Sequence, residues 1–261
     1  MKAVILAAGR GTRLKKHTEN LPKGMLQFCG KTLIERQIEL YKSIGIDDVT
    51  IVCGYAAEKI NYGKVKYFLN KDFNSTNMVE SLMAAQSEFN DDLIVSYSDI
   101  LFTRHMLCKI AISDCDFAVA VDDNWKAYWL KRYGKIDFDT ESLSIGSSND
   151  ILSIGLENPN LHEIDARYIG LLKFSQSALR QIVRVWERDC GKFQDAPWQQ
   201  SGKPIRQAYM TDLLNALIKD GFPIKAVRFN NGWLEFDTNE DYENACEWAM
   251  NSVIGEDNYE F

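Results

Sequence analysis

The residues best suited to chemistry follow the first apolar run of the chain, residues 3–8. Gly9-Arg10-Gly11-Thr12-Arg13 comes directly after that run, and Lys23 lies further along. Glycines behind a buried strand let the backbone turn tightly and direct several N–H groups at one anion. Arg13 and Lys23 add positive charge where a polyphosphate would lie. The pattern predicts a nucleotide phosphate site lined by Leu6, Ala7, Ala8, Gly9, Gly11 and Thr12.

Two other phosphate-binding loops and one structural explanation compete for this part of the chain. A dinucleotide fingerprint, G-x-G-x-x-G, needs a third glycine where the chain has Leu14. A Walker A loop ending in Gly30-Lys31-Thr32 needs a glycine at position 25, where the chain has Met25. An ordinary tight turn between strand and helix does not require the clustered arginine and lysine residues. A phosphate loop of another type is therefore favoured.

Carboxylates in two later segments can supply a metal site. Asp99 follows the apolar run 93–97, which is expected to lie beside the first strand, so its side chain would face the crevice at the strand ends. Glu235 and Asp237 are two positions apart, and alternation along a strand puts both on one face. Mg²⁺ takes oxygen ligands from one or two carboxylates and completes its shell with phosphates and water. In the structural alternative, Asp99 and Asp237 each cap the helix that follows.

The elements that must position these residues alternate short apolar runs with helical periodicity. This alternation predicts a three-layer α/β/α fold with a mixed, mostly parallel sheet. Strands are predicted at 3–8, 49–53, 64–69, 93–97, 117–121, 168–174, 225–229 and 233–236, with short strands at 134–138 and 151–154 forming a small side sheet. Helices are predicted after Thr32 and Asn77, each with capping-box spacing, and at 177–188, 209–219 and 240–250.

Length and charge restrict the class of protein. The 261 residues suit a single domain, with about 1–105 as a nucleotide-binding half and about 106–261 as an acceptor-binding half. A net charge of −7 argues against sequence-independent nucleic-acid binding, and no run approaches the ~20 apolar residues of a membrane span. The cysteines show no paired spacing, which favours free thiols and a cytoplasmic protein. Residues 190–206 are interpreted as an active-site loop or as the arm of a homodimer.

Several segments together resemble the signature of nucleotidylyltransferases that make CDP- and NDP-activated compounds. They are Leu6-Ala7-Ala8-Gly9-x-Gly11-Thr12-Arg13-Leu14 with Pro22-Lys23, Gly54-Tyr55, and residues 76–82, 96–101, 168–171 and 232–237. The segments span nearly the whole chain. They look most like the cytidylyltransferases associated with phosphonate biosynthesis, then phosphocholine cytidylyltransferases, and less like sugar-1-phosphate nucleotidylyltransferases. The resemblance implies a nucleotide-diphospho-sugar transferase-like fold.

The resemblance also implies an activity. We expect a CTP- and Mg²⁺-dependent enzyme that joins CMP to 2-aminoethylphosphonate or 2-hydroxyethylphosphonate and releases pyrophosphate. Phosphocholine and sugar 1-phosphates are the alternative acceptors, and a non-catalytic nucleotide-binding protein is a further alternative. Lys23 would bridge the CTP and acceptor phosphates, Arg13 would stabilise pyrophosphate, and Asp99 would hold the metal. Asp237 and Glu235 are the other expected metal ligands, while Tyr55, Asn77 and Ser81 are placed near base and ribose.

The acceptor site is expected in the second half of the chain. Trp125 and Trp129 lie in an aromatic cluster with nearby carboxylates, which can hold an ammonium group by cation–π contact or can equally be core packing. Asn158 stands where the sugar-nucleotide enzymes that this chain resembles have a phosphate-binding lysine. Lys173 is therefore considered as the acceptor's cation, and the sequence leaves three others open: Lys131, Arg132 and Arg167.

Overall fold

The strands of the protein were located in a computed structural model that describes residues 1–251, 253–255 and 259. In chain order they are β1 (Lys2–Ala7), β2 (Gln27–Phe28), β3 (Lys31–Thr32), β4 (Val49–Cys53), β5 (Lys66–Leu69), β6 (Leu93–Tyr97), β7 (Ile100–Phe102), β8 (Phe117–Asp122), β9 (Glu141–Ile145), β10 (Ile151–Glu157), β11 (Arg167–Phe174), β12 (Ile224–Phe229) and β13 (Trp233–Glu235).

The helices lie between these strands. The α-helices are α1 (Lys15–Thr18), α2 (Leu33–Ser43), α3 (Met78–Ala84), α4 (Arg104–Ala111), α5 (Trp125–Tyr133), α6 (Gln176–Cys190), α7 (Met210–Lys219) and α8 (Asn239–Met250). Short 3-10 helices occur at Thr12–Leu14, Lys23–Met25, Ala57–Lys59, Gln86–Glu88, Leu161–Glu163 and Ile205–Gln207. Thr32 forms the predicted capping box with Glu35, while Asn77 caps α3 by accepting from the Met78 N–H rather than pairing with Glu80.

The central sheet has the strand order β12-β8-β11-β6-β1-β4-β5 within the described residues. β1 lies between β4 and β6 and is parallel to both, and only β11 runs antiparallel to its neighbours in this sheet. The carboxyl ends of β1 and β6 therefore meet at one edge, beside the loop that follows Ala7. The predicted mostly parallel sheet is confirmed.

Apolar side chains project from both faces of the sheet and form one core on each side. From β1, Ala3 and Ile5 pack on one side with α2, α4, α5 and α8, whereas Val4 and Leu6 pack on the other side with α3, α6 and α7. This alternation along a strand gives the predicted three layers. No helix in the described part of the chain is apolar and long enough to pass through a lipid bilayer.

A small antiparallel side sheet is present, but one of its strands lies elsewhere than predicted. β10 pairs with β9, at residues 141–145, and not with residues 134–138. The prediction for 134–138 was wrong because α5 continues to Tyr133 and ends at Gly134, whose φ of 67° closes the helix in the left-handed conformation. The residues that follow form bends before β9 begins.

Candidate active site

The glycine-rich segment forms a tight loop after β1. Gly11 adopts a φ of +67°, and a Cβ atom there would collide with the side chain of Lys23. The buried hydroxyl of Thr18 donates to the carbonyl oxygens of Gly11 at 2.8 Å and Leu14 at 2.9 Å. A glycine is thus required where the loop and Lys23 meet, and Thr18 fixes the loop from behind.

A cavity of about 250 Å³ opens over this loop and extends to the start of α3. Of the residues predicted to contact a nucleotide, those that line it are Leu6, Ala8, Gly9, Gly11, Thr12, Asn77 and Ser81. Ala7 is buried in β1, and Tyr55 donates its hydroxyl to the Glu19 carbonyl outside the cavity. Neither residue lines this cavity, and their contact with a nucleotide stays a prediction.

Lys23 joins the two carboxylate segments. Its Nζ donates to Asp99 Oδ2 at 3.0 Å and also to Asp237 Oδ1, while Arg13 forms an ion pair with Asp237. The predicted charged groups of Lys23, Arg13, Asp99 and Asp237 are thus brought together at the edge of the sheet.

Strand pairing explains how two distant carboxylates meet. β13 pairs antiparallel with β7 so that Glu235 lies opposite Ile100, and the Phe236 N–H donates to the Asp99 carbonyl at 2.9 Å. Neither aspartate caps a helix, because Thr103 caps α4 and Thr238 caps α8. The structural alternative for Asp99 and Asp237 is therefore excluded.

The burial of this cluster shifts its protonation equilibria. Burial alone would lower the pKa of Lys23, but Asp99 and Asp237 outweigh it and raise that pKa well above its ordinary value. Burial raises the pKa of Asp237, and Glu235 and Asp99 add to this, whereas Lys23 acts in the opposite direction. Lys23 is consequently a firmly charged ammonium at neutral pH.

Glu235 is separated from the two aspartates by its own partner. Its carboxylate pairs with Arg132 at 2.5 Å, and Arg132 also pairs with Asp241 at 2.8 Å. Burial would raise the pKa of Glu235, but Arg132 and then Arg167 reverse this and lower it. In the described part of the chain, no three potential ligands are grouped around one metal position. Glu235 thus belongs to an ion-pair network beside the aspartates.

A second cavity, of about 430 Å³, adjoins the first. Five residues line both cavities: Arg13, Lys23, Met78, Tyr97 and Asp99. The remaining wall of the second cavity comes from the side sheet, the start of β11, the start of α7, β13 and the residues beside these elements, through Asp139, Thr140, Glu141, Glu157, Asn158, Arg167, Tyr168, Ile169, Gly170, Tyr209, Thr211, Glu235 and Asp237. Two ligands, one in each cavity, would therefore come together beside Lys23.

Three predicted acceptor residues do not reach this second cavity. Trp125 and Trp129 are 1% and 0% exposed and belong to the core, where Trp129 packs edge-on against Trp125 and Tyr128. The packing alternative for this aromatic cluster is therefore the correct one. Lys173 donates to the Ser113 carbonyl and lies next to Ile94, at the opposite edge of the sheet.

Of the cations that the sequence left open, Arg167 is the one placed at the second cavity. Arg132 is committed to its carboxylates, and Lys131 and Lys173 are absent from the lining. Sequence reasoning missed Glu141 altogether, because nothing in the pattern of residues 134–145 marks this carboxylate as facing a cavity. The predicted loop 190–206 is irregular as expected, and Arg206 within it pairs with Glu80 on α3 at 2.8 Å.

Thr18→Val should weaken the glycine-rich loop after β1 without altering the residues that line the cavity. We expect the free energy of unfolding to fall by about 1 kcal/mol, because two buried carbonyl oxygens lose their donor. The KM for the nucleotide should rise as the loop loosens. Urea unfolding and initial-rate kinetics measure the two effects. Thr50→Val is the matched control, since Thr50 is equally buried in β4; equal losses in both variants would contradict the role given to Thr18.

A glycine loop at the carboxyl end of the central strand, with a lysine facing two joined cavities, suits an enzyme that passes a nucleotidyl group from one ligand to another. Residues 3–189 match the sequence profile of the MobA-like NTP transferase domain. The chain belongs to this family and is a nucleotidyltransferase.

Individual relatives match from about half of the chain to nearly all of it. The CTP:phosphoglutamine cytidylyltransferase of Campylobacter jejuni is 33% identical in an alignment of 254 residues that covers 93% of this chain and 98% of that protein. The choline-phosphate cytidylyltransferase of Streptococcus pneumoniae is 36% identical over 151 residues, 56% of this chain and 65% of that protein. A solved structure of CTP:phosphocholine cytidylyltransferase from Streptococcus pneumoniae superimposes with a TM-score of 0.71 at 23% identity, over 94% of this chain and 97% of that one, and so shares the fold.

Proposed function

We propose that the protein transfers CMP from CTP to a phosphate or phosphonate oxygen of a small acceptor and releases pyrophosphate. The observation that carries this proposal is the position of Lys23 in the wall common to both cavities. The preference for CTP is supported by the two relatives whose names specify cytidylyl transfer.

The proposed reaction is a direct displacement. An acceptor oxygen attacks the α-phosphorus of CTP, a new P–O bond forms, and the bond to the β-phosphate bridging oxygen breaks. Two anions must approach each other in this step, so positioning and charge neutralisation are the main requirements. Lys23 supplies a fixed positive charge between the cavities, and Arg13 supplies a second one beside the loop.

The carboxylate pair fits a magnesium ion. Asp99 and Asp237 both contact Lys23 Nζ, so their carboxylates face a common point. Two carboxylates are the usual protein contribution to a Mg²⁺ site that phosphates and water complete. We propose that these two residues hold it, with Glu235 outside the ligand set because Arg132 retains it. Bound there, the ion would neutralise phosphate charge.

The acceptor proposed here is small and carries an ammonium group. The wall of the second cavity has the carboxylates of Asp139, Glu141 and Glu157 in addition to those around Lys23. 2-Aminoethylphosphonate, phosphocholine and phosphoglutamine each combine a phosphoryl group with a nitrogen cation. 2-Hydroxyethylphosphonate and sugar 1-phosphates carry no ammonium group. Both are therefore less complementary to the carboxylates of the second cavity.

A panel of nucleotides and acceptors tests the proposed function. Pyrophosphate release should be at least ~100-fold more efficient with CTP than with UTP or dTTP, as expected when a site hydrogen-bonds one base edge and not another. 2-Aminoethylphosphonate should exceed 2-hydroxyethylphosphonate, which differs from it mainly in charge. The Lys23→Ala protein serves as the control for contaminating activity. Turnover only with UTP or dTTP and sugar 1-phosphates would refute the proposal.

A further inference from the structure

Arg167 is a buried cation that forms no hydrogen bond or ion pair within the described part of the chain. It is 9% exposed, it lines the second cavity, and its Nε and Nη1 atoms make no hydrogen bond with any described residue. Its guanidinium lies 4.7 Å from the Trp129 ring. A buried guanidinium that lacks an anion is unfavourable, because desolvation is not offset by a paired charge.

Arg132 provides a comparison, because it contacts the same Trp129 ring and its guanidinium is paired with carboxylates. Its guanidinium lies 4.8 Å from the same Trp129 ring, and it pairs with Asp241 and Glu235. Trp129 thus supports two arginines: Arg132 is paired with carboxylates, whereas Arg167 faces the cavity with no carboxylate paired to it among the described residues. The anion that completes Arg167 is therefore expected from a ligand.

Glu141 is the complementary group. It lines the same cavity at the start of β9, and its carboxylate makes no hydrogen bond or ion pair with any described residue. Burial raises the pKa of Glu141 above its ordinary value, although the nearby Arg167 acts to lower it. An unpaired cation and an unpaired carboxylate thus share one cavity without contacting each other.

This inference rests on the proposed function, which requires the phosphoryl group of the acceptor to lie near Lys23. That group must reach Lys23, where the two cavities join, in order to attack CTP. Arg167 and Glu141 are then available to the remainder of the acceptor. That remainder must bring an anion to one and a cation to the other.

We propose that Arg167 and Glu141 bind the α-carboxylate and α-ammonium of an amino-acid head group, so that the acceptor is a phosphorylated amino acid. A planar guanidinium matches a carboxylate through two parallel hydrogen bonds, which an amine or a choline group cannot provide. Simple amino-phosphonates and phosphocholine would leave Arg167 unpaired. The cavity then discriminates by the carboxylate rather than by the amine alone.

Matched acceptor pairs that differ only in the α-carboxylate test this assignment. One pair is glutamine phosphorylated on its side-chain amide and the same derivative of 4-aminobutanamide; the other is O-phosphoserine and O-phosphoethanolamine. For at least one pair, kcat/KM should favour the amino acid by ~10- to ~100-fold, the scale of a hydrogen bond to a charged group. Arg167→Met should reduce that ratio to about one, mainly through KM, and Arg167→Lys should retain part of it.

Controls separate head-group binding from other effects. Arg180→Met alters an exposed arginine of α6 and should keep the preference of the unaltered protein. Glu141→Gln should raise KM for both members of a pair, because both carry the ammonium group. Thermal unfolding of each variant shows whether it is folded. If Arg167→Met is unfolded, the kcat/KM ratio of Arg167→Lys is used to test the assignment instead.

Two kinetic results would overturn the assignment. One is an unaltered protein that prefers neither member of either pair. The other is an Arg167→Met protein that loses both members of a pair equally, which would place the phosphoryl group on Arg167.

The proposed function can fail separately. If no combination of acceptor and nucleotide releases pyrophosphate, calorimetric titration with phosphorylated glutamine alone still tests whether Arg167 binds the head group. Binding by the unaltered protein but not by Arg167→Met would support the assignment, and no binding by either would end it.

Discussion

Lys23→Ala is expected to lower kcat by ~100- to ~1,000-fold, the range found when one preorganised charge contact is removed from a reacting group. The side chain is 15% exposed and lies between two carboxylates, so no solvent cation can easily take its place. Its loss would also leave Asp99 without its ammonium partner and Asp237 with Arg13 alone. Steady-state pyrophosphate release measures the effect.

Controls for Lys23 are available within the same chain. Lys31→Ala removes an exposed lysine whose ion pair with Glu39 lies outside both cavities, and it should change kcat little. Lys23→Arg keeps the charge and should recover part of the lost rate if charge is what matters. A Lys23→Ala protein that is folded and nearly as active as the unaltered protein would refute the role given to this residue.

Asp99→Asn is expected to lower kcat by at least ~100-fold, because a charged contact is lost where charge develops in the reaction. The amide keeps the shape of the side chain and can still accept from Lys23, so the fold should be retained. If Asp99 binds Mg²⁺, the magnesium concentration for half-maximal rate must also rise. A magnesium titration of the initial rate measures both changes together.

Asp47→Asn provides the comparison, since Asp47 is an exposed aspartate before β4 and lies outside both cavities. It should match the unaltered protein in rate and in magnesium requirement. If Asp99→Asn lowers kcat without moving the magnesium requirement, the residue acts through Lys23 and the metal role is wrong. Unchanged kcat would remove Asp99 from the reaction altogether.

Much of the fold could be predicted because its signals are local. The buried strands β1, β4 and β6 are continuous apolar runs, and the capping box at Thr32 and Glu35 marks the start of α2 within four residues of sequence. The loop after β1 and the aspartate after β6 follow from the same runs. Local patterns thus located the glycine-rich loop after β1 and the position of Asp99.

The direction of each strand could not be read from the sequence. The direction of β11 determines which of its two end cations, Arg167 or Lys173, lies at the second cavity. The strand at 168–174 was predicted correctly, but β11 runs antiparallel to its neighbours. Arg167 consequently lies opposite Asp122, at the carboxyl end of β8, whereas Lys173 lies opposite Ile94, near the amino end of β6. A cation at either end of this strand looks equivalent until the pairing is known.

Tertiary packing likewise determined the role of the aromatic cluster. Trp125 and Trp129 sit at helical spacing, and this spacing is compatible with a pocket wall or with a core. The ring of Trp233 on β13 packs against Tyr128 at 5.2 Å, which seals this face of α5 inside the protein. Contacts between elements so far apart in sequence leave no local signal.

Phosphorus NMR of one reaction mixture tests the central claim most directly. The unaltered protein, CTP, Mg²⁺ and an accepted phosphoryl compound should give a new diphosphate linkage between CMP and the acceptor, with one pyrophosphate for each product formed. Hydrolysis of CTP to CMP and pyrophosphate with the acceptor unchanged would contradict transfer at Lys23. So would a CMP group attached to the protein, because the joined cavities predict direct displacement.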